Sequence, residues 1–119
     1  MNIVERNLAV AAEHIENEGR DPASVMPLYT DDIVLEIPGR GLMFEGRAAI
    51  EANYRAMFSS LDEIAIEPLD RFATEDRVVD DMIVRFRLVG EGMVNAPMPV
   101  GSRVALRLLH VFHMREGRI

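Results

Sequence analysis

Two ionisable side chains fall where strand alternation calls for apolar ones. Taking every second residue from Val78, the segment 77–89 places Val78, Asp80, Met82, Val84, Phe86 and Leu88 on one face. Asp81, Arg85 and Arg87 fall on the other, with Val79 and Ile83. In the segment 102–115, Val104, Leu106, Leu108, His110, Phe112 and Met114 share a face, opposite Arg103, Arg107, His113 and Arg115. The apolar faces must look inward, so Asp80 and His110 are the ionisable groups that look inward with them. An imidazole in apolar surroundings loses its charged form more easily and stays a neutral base near pH 7, which suits general acid–base chemistry. The structural use of such a residue is a buried histidine satisfied by Tyr54, a backbone carbonyl or water.

Asp80 is the second inward candidate. Hairpin pairing centred on the loop Asn95–Val100 sets Val84 opposite His110, with Asp80 four residues away. At about 3.3 Å per residue the two are then about 13 Å apart, too far for a direct acid–base pair. On that register Asp80 reads as a solvated carboxylate at a strand end. Tyr29 and Tyr54 supply hydroxyls that could donate to a substrate carbonyl, or simply fill an amphipathic core with their hydroxyls at its rim. His14 lies off the first helix's apolar stripe and is expected to be exposed.

The elements that must hold these groups are set by periodicity. Val4, Leu8, Ala11 and Ile15 make the first segment an amphipathic helix, ended by Gly19 in the usual glycine position. Asp21-Pro22 supplies an N-cap and first-turn proline for a short second helix that Pro27 kinks or stops. Ile33 to Ile37 reads as a strand ended by Pro38. Gly39 and Gly41 allow a sharp return into Leu42–Phe44, and Gly46 opens a third helix with Ile50, Tyr54, Met57, Phe58 and Leu61 on one face. Strand-like segments at 63–74, 77–94 and 102–115 complete the chain. Helices first and a meander afterwards is an α+β layout, in one domain over residues 1–119.

Composition removes several functions. A net charge of −7 disfavours nucleic acid and anionic membranes, because phosphate binding needs concentrated Lys and Arg. No apolar run reaches membrane-spanning length, and the acidic N-terminus carries no cleavage-site pattern, so a cytoplasmic protein is expected. Without cysteine there is no disulfide or thiolate chemistry. No metal is expected, since His110 and His113 point to opposite sides of one strand and the histidines form no ligand set. No phosphate loop, dinucleotide fingerprint or G-x-S-x-G elbow occurs, so no cofactor is expected.

The stretch Tyr29-Thr30-Asp31-Asp32-Ile33-Val34-Leu35-Glu36-Ile37-Pro38 resembles the YADD turn and strand of ketosteroid isomerases. His110-Val111-Phe112-His113-Met114-Arg115-Glu116-Gly117-Arg118-Ile119 is similar to the DVFRxxDGKI-type end of SnoaL-like polyketide cyclases. The resemblance implies an NTF2-like fold, a mostly antiparallel curved sheet coned around N-terminal helices and an apolar pocket. It also implies that the isomerase general base is replaced by Ile37. The first-helix catalytic tyrosine, which would fall near Ala12 or Glu13, is missing, and His110 stands where the family carries an Asp. Tyr29 and Tyr54 match the supporting tyrosines.

The resemblance and the inward histidine together predict a SnoaL-like enzyme. It would act on an apolar, carbonyl-bearing small molecule by cofactor-independent proton transfer, as in cyclisation or isomerisation. His110 would be the acid–base, with Tyr54, Tyr29 and Asp80 as polar candidates. Ile37, Phe44, Phe58, Val84, Phe86, Leu108 and Phe112 would form the pocket walls. The alternative is a non-catalytic ligand-binding or dimerisation module. The outer sheet face, arginines mixed with Ile83, Leu109 and Val111, suits a solvated surface or a sheet-to-sheet homodimer of the kind relatives form. Relatives also continue with a further strand where this chain has Ile119, so a sheet edge is expected to lie open.

Overall fold

The computed structural model describes residues 1–119. Helix α1 spans Ile3–Asn17, α2 spans Pro22–Val25, and a 3-10 turn over Met26–Leu28 comes next, so Pro27 tightens the chain as expected. Strands β1 (Val34–Ile37) and β2 (Leu42–Glu45) form a hairpin around Pro38–Arg40, with Gly41 in the left-handed region at φ 65°. Gly46, at φ 86°, is the N-cap of α3 (Arg47–Ser59). Strands β3 (Leu61–Ala73), β4 (Arg77–Leu88) and β5 (Arg103–His113) then form an antiparallel sheet in sequence order. This is the expected α+β cone.

The inward faces are the expected ones. Val78, Asp80, Met82, Val84, Phe86 and Leu88 of β4 are all buried, and the first five pair in turn with the inward side of β5. The core adds Ala11, Ile15, Val25, Met26, Ile33, Ile50 and Tyr54 from the helices and the β1 approach. Each fully buried aliphatic side chain such as Ile50 or Leu88 contributes about 1.5–3 kcal/mol. On the outer face the arginines pair with acids: Arg107 with Asp81, Arg85 with Glu67, Arg87 with Asp62 and Arg103 with Glu63. Exposed pairs of this kind add about 0–1 kcal/mol each, so they keep the face polar more than they hold it together.

The register differs from the expected one by four residues. Asp80, not Val84, lies opposite His110. The cause is that β4 ends at Leu88 rather than running to residue 94. The hairpin closes there, with Leu88 N–H donating to Ser102 O and Gly101 N–H to Leu88 O. Residues 89–101 instead fold onto α3 and the β1–β2 turn. Val89 N–H donates to Ser60 O, Gly92 N–H to Ser60 Oγ, and Arg40 Nη1 to Val94 O. A shift by an even number of residues keeps each side chain on its face but changes its partner.

Two smaller expectations also change. Gly19 is not a left-handed cap; a Cβ there would sit 2.9 Å from the Phe58 ring, so its role is close packing. Asp21 occupies the N-cap of α2 but makes no side-chain cap bond; its carbonyl accepts from Ser24 instead.

Three-stranded sheet and two-stranded hairpin do not join. The outer edge of β5 is free, and beyond it Ile119 folds back beside Tyr29, donating to Leu28 O and accepting from Thr30 N–H. An opening lies between β5 and β1. No helix is long and apolar enough to cross a membrane.

Candidate functional site

A cavity of about 870 Å³ occupies that opening. Its walls come from His14 of α1, Tyr29, Ile33 to Glu36 around β1, Ile50 and Tyr54 of α3, and Leu109 to Met114 at the end of β5. The size suits a small organic molecule. The lining mixes polar and apolar groups rather than being purely apolar.

His110 reaches the cavity from β5, and Asp80 stands behind it on β4. Asp80 is 2% exposed, which corrects the expectation of a solvated strand-end carboxylate, and its Oδ2 lies 3.6 Å from His110 Nδ1. Both atoms are buried, neither has a hydrogen-bond partner, and they face each other slightly beyond bonding distance. Catalytic hydrogen bonds are often long in the empty site and tighten around a ligand. Asp80 is held from its other oxygen by Arg71 of β3, whose Nε donates to Oδ1 at 2.7 Å. Desolvation pushes the His110 pKa below its ordinary value, the nearby Glu18 and Asp80 charges only partly opposing it. The ring therefore rests as a neutral base. Its face stacks on Phe112, with centroids 5.6 Å apart.

A second polar chain enters from the helices. His14, expected to be exposed, is 2% exposed. Its Nε2 lies 2.6 Å from the Tyr29 hydroxyl, and that hydroxyl lies 3.3 Å from the Tyr54 hydroxyl. His14 Nδ1 sits 2.9 Å from Glu18 Oε2, an ion-pair contact too bent to be a hydrogen bond. The buried stripe of α1 is thus Asn7, Ala11, His14, Ile15 and Glu18, rotated from the stripe that apolar residues alone define. Burial raises the pKa of both tyrosines well above 10, so they remain protonated donors. Arg47 anchors the Tyr29 backbone, donating to the carbonyls of Met26 and Tyr29.

The cavity therefore brings His110, Tyr29 and Tyr54 together, with Asp80 close behind. Of the expected walls, Phe112 lines it. Ile37, Phe44, Phe58, Val84, Phe86 and Leu108 do not. Val84 and Phe86 lie in the core, Phe44, Phe58 and Leu108 pack against it, and Ile37 is half-buried in β1. His14, Glu18 and Arg71 were not expected at the site. The first two announce themselves only as an i, i+4 pair on the face of Ala11 and Ile15; Arg71 requires the β3–β4 register.

Residues 10–119 match the profile of the SnoaL-like domain, nearly the whole chain. The chain belongs to the SnoaL-like domain family. Solved structures repeat this fold. A Jannaschia sp. CCS1 protein, provisionally described as a SnoaL-like polyketide cyclase, is 16% identical with a TM-score of 0.79, over 99% of this chain and 83% of its own. The epoxide hydrolase/cyclase-like enzyme SalBIII of salinomycin pyran-ring formation is 23% identical with a TM-score of 0.72, over 96% and 84%. An LEH-like epoxide hydrolase of M. tuberculosis is 16% identical with a TM-score of 0.71, over 97% and 77%. At these identities they establish the fold of this SnoaL-like domain and nothing finer. No curated protein matches it.

Proposed function

We propose that this SnoaL-like domain is a small-molecule enzyme that moves protons without a cofactor, cyclising or isomerising an apolar carbonyl compound. The observation that carries this is the buried Asp80 carboxylate behind His110 at a cavity that also presents two tyrosines. His110 Nδ1 faces Asp80, which leaves Nε2 to take a proton from the carbon next to a carbonyl. Asp80, fixed by Arg71, orients the ring and stabilises the imidazolium that forms. Tyr54 and Tyr29 are placed to stabilise charge arriving on the carbonyl oxygen. Polar groups converging on one cavity favour this over a non-catalytic binding module. Two of the similar structures are described as epoxide hydrolase-like. An epoxide oxygen would call on the same hydroxyl donors, so epoxides belong among the substrates to try.

The same reading has two copies packed through the outer sheet face. There Phe72, Val79 and Val111 form one cross-strand row beside Leu109.

The test is a panel of cyclic ketones, β-dicarbonyls and epoxides incubated with the protein in D2O and followed by mass spectrometry. Enzyme-dependent deuterium uptake next to a carbonyl, or ring opening or closure, is expected for at least one class. Saturable binding across the panel with no uptake and no conversion would instead make the protein a binding module.

A further inference from the structure

The polar chain on α1 has a direction. Tyr29 can pass its hydroxyl hydrogen to Tyr54 at 3.3 Å, and the Tyr54 hydrogen then has no protein acceptor. The cavity lies in front of it. That arrangement requires Tyr29's oxygen to accept from His14 Nε2 at 2.6 Å, which only a ring carrying hydrogen on Nε2 can do. With Nδ1 also protonated, the imidazolium faces the Glu18 carboxylate at 2.9 Å. If Nε2 is instead bare, Tyr29 donates to His14, Tyr54 donates to Tyr29, and no hydrogen points into the cavity. The hydrogen on His14 Nε2 thus sets the direction of both hydroxyls, and a proton that leaves through Nε2 turns them round.

We propose that Glu18 and His14 form a proton relay behind the two tyrosines, delivering a proton from the His14 imidazolium through Tyr29 and Tyr54 to the substrate oxygen. This rests on the proton-transfer reading of the cavity. In the step, the C–H bond beside the carbonyl breaks and its proton goes to His110 Nε2. The C–H electron pair forms the C=C bond, and the carbonyl π pair moves to oxygen, which takes the Tyr54 hydrogen. Tyr54 takes the Tyr29 hydrogen, and Tyr29 takes the hydrogen of His14 Nε2. The product is a neutral enol, with His110 charged and His14 neutral; reversal resets both rings. Glu18 and His14 are positioning residues, since in the relay it is Tyr54 that hands the hydrogen to the substrate oxygen, with Tyr29 behind it.

Every element packed on His14 bears on its charge. Glu18, the C-cap of its own helix, sets a carboxylate oxygen 2.9 Å from Nδ1. Tyr29 and Tyr54 hold its Nε2 side, and β5 contributes His110 together with Phe112, whose ring lies edge-on to it at 5.2 Å. Charge on His14 disfavours charge on His110, and the step moves a proton off one ring as it puts one on the other.

The experiment is a pH titration by NMR of protein carrying 15N-histidine and 13C-tyrosine, with 4-nitrophenolate as a mimic of the developing oxyanion. The Cζ signals of Tyr29 and Tyr54 are expected to move in step with His14 protonation. Tyr29→Phe should leave His14 titrating while uncoupling Tyr54. Glu18→Gln should weaken 4-nitrophenolate binding roughly tenfold, the scale of one opposite charge within about 4–6 Å, and Glu18→Asp should recover part of it. Tyrosine signals that ignore His14, a His14 that never protonates in the folded protein, or a Glu18→Gln protein that binds 4-nitrophenolate like wild type would overturn the relay. Coupled signals in a protein that does not bind 4-nitrophenolate would leave the relay standing and count against the cavity reading; binding with uncoupled signals would do the reverse.

Discussion

Asp80 and His110 are direct cross-strand partners on β4 and β5, with Oδ2 and Nδ1 3.6 Å apart and no hydrogen-bond partner for either atom. The pair is a consequence of backbone register. It exists because β4 stops at Leu88 and the chain takes thirteen residues of loop, 89–101, before re-entering the sheet.

That loop is held through Gly92. A Cβ at this position would fall 1.9 Å from the Ala56 carbonyl oxygen, a backbone atom that cannot move aside cheaply. Gly92→Ala should therefore cost about 1–3 kcal/mol or more, as overpacking does, and urea denaturation will read it. A neutral result would mean that the loop does not depend on this close approach.

Arg71 compensates the charge of Asp80. Arg71→Met leaves a buried carboxylate without its cation and should destabilise the fold by about 3 kcal/mol. Adding Asp80→Asn to it should restore part of that loss, because the stranded charge is gone. A double variant no more stable than Arg71→Met alone would show that the two do not form one unit.

His110 contributes to the pH dependence of stability. Burial holds its pKa below the ordinary 6.5, so the unfolded chain takes up the proton first as pH falls. Stability contributed by the neutral buried ring is complete above pH 6.5 and declines below it. The surface carboxylates act lower: Arg115 holds Asp32 down to about 2, so its contribution is lost only below 3.8. Thermal melts between pH 6.5 and about 4.5 should fall less steeply for His110→Gln than for wild type. Equal slopes would place the acid sensitivity elsewhere.

The outer face makes a prediction about assembly. Leu109 and Val111 are 64% and 52% exposed, and Phe72 across the sheet is 53% exposed. Leu109→Glu would put a charge at the centre of a sheet-to-sheet dimer. Sedimentation should show wild-type dimers and monomeric Leu109→Glu; wild-type monomers at high concentration would remove the dimer from the proposal.

Much of this fold was legible, for identifiable reasons. Alternation told which side of β4 and β5 faces inward, and glycine and proline placed the β1–β2 turn and the start of α3. The Asp80–His110 pairing was not legible, because alternation is blind to slips of two or four residues. Only loop packing on Ser60 and Arg40 decides such a slip. His14 was hidden for a different reason. An apolar stripe counts only apolar residues, whereas α1 buries Asn7, His14 and Glu18 by giving them partners on other elements or on one another. Gly19 read as a helix cap because glycine serves conformation more often than contact, and here it serves contact with Phe58.

The most direct test of His110 as the base is deuterium uptake next to the carbonyl in the best ketone of the panel, comparing wild type with His110→Ala. A positioned general base contributes about 10²–10⁴-fold, so uptake by His110→Ala should drop at least a hundredfold while the protein stays folded. Uptake by His110→Ala within about threefold of wild type, far inside that range, would contradict the assignment.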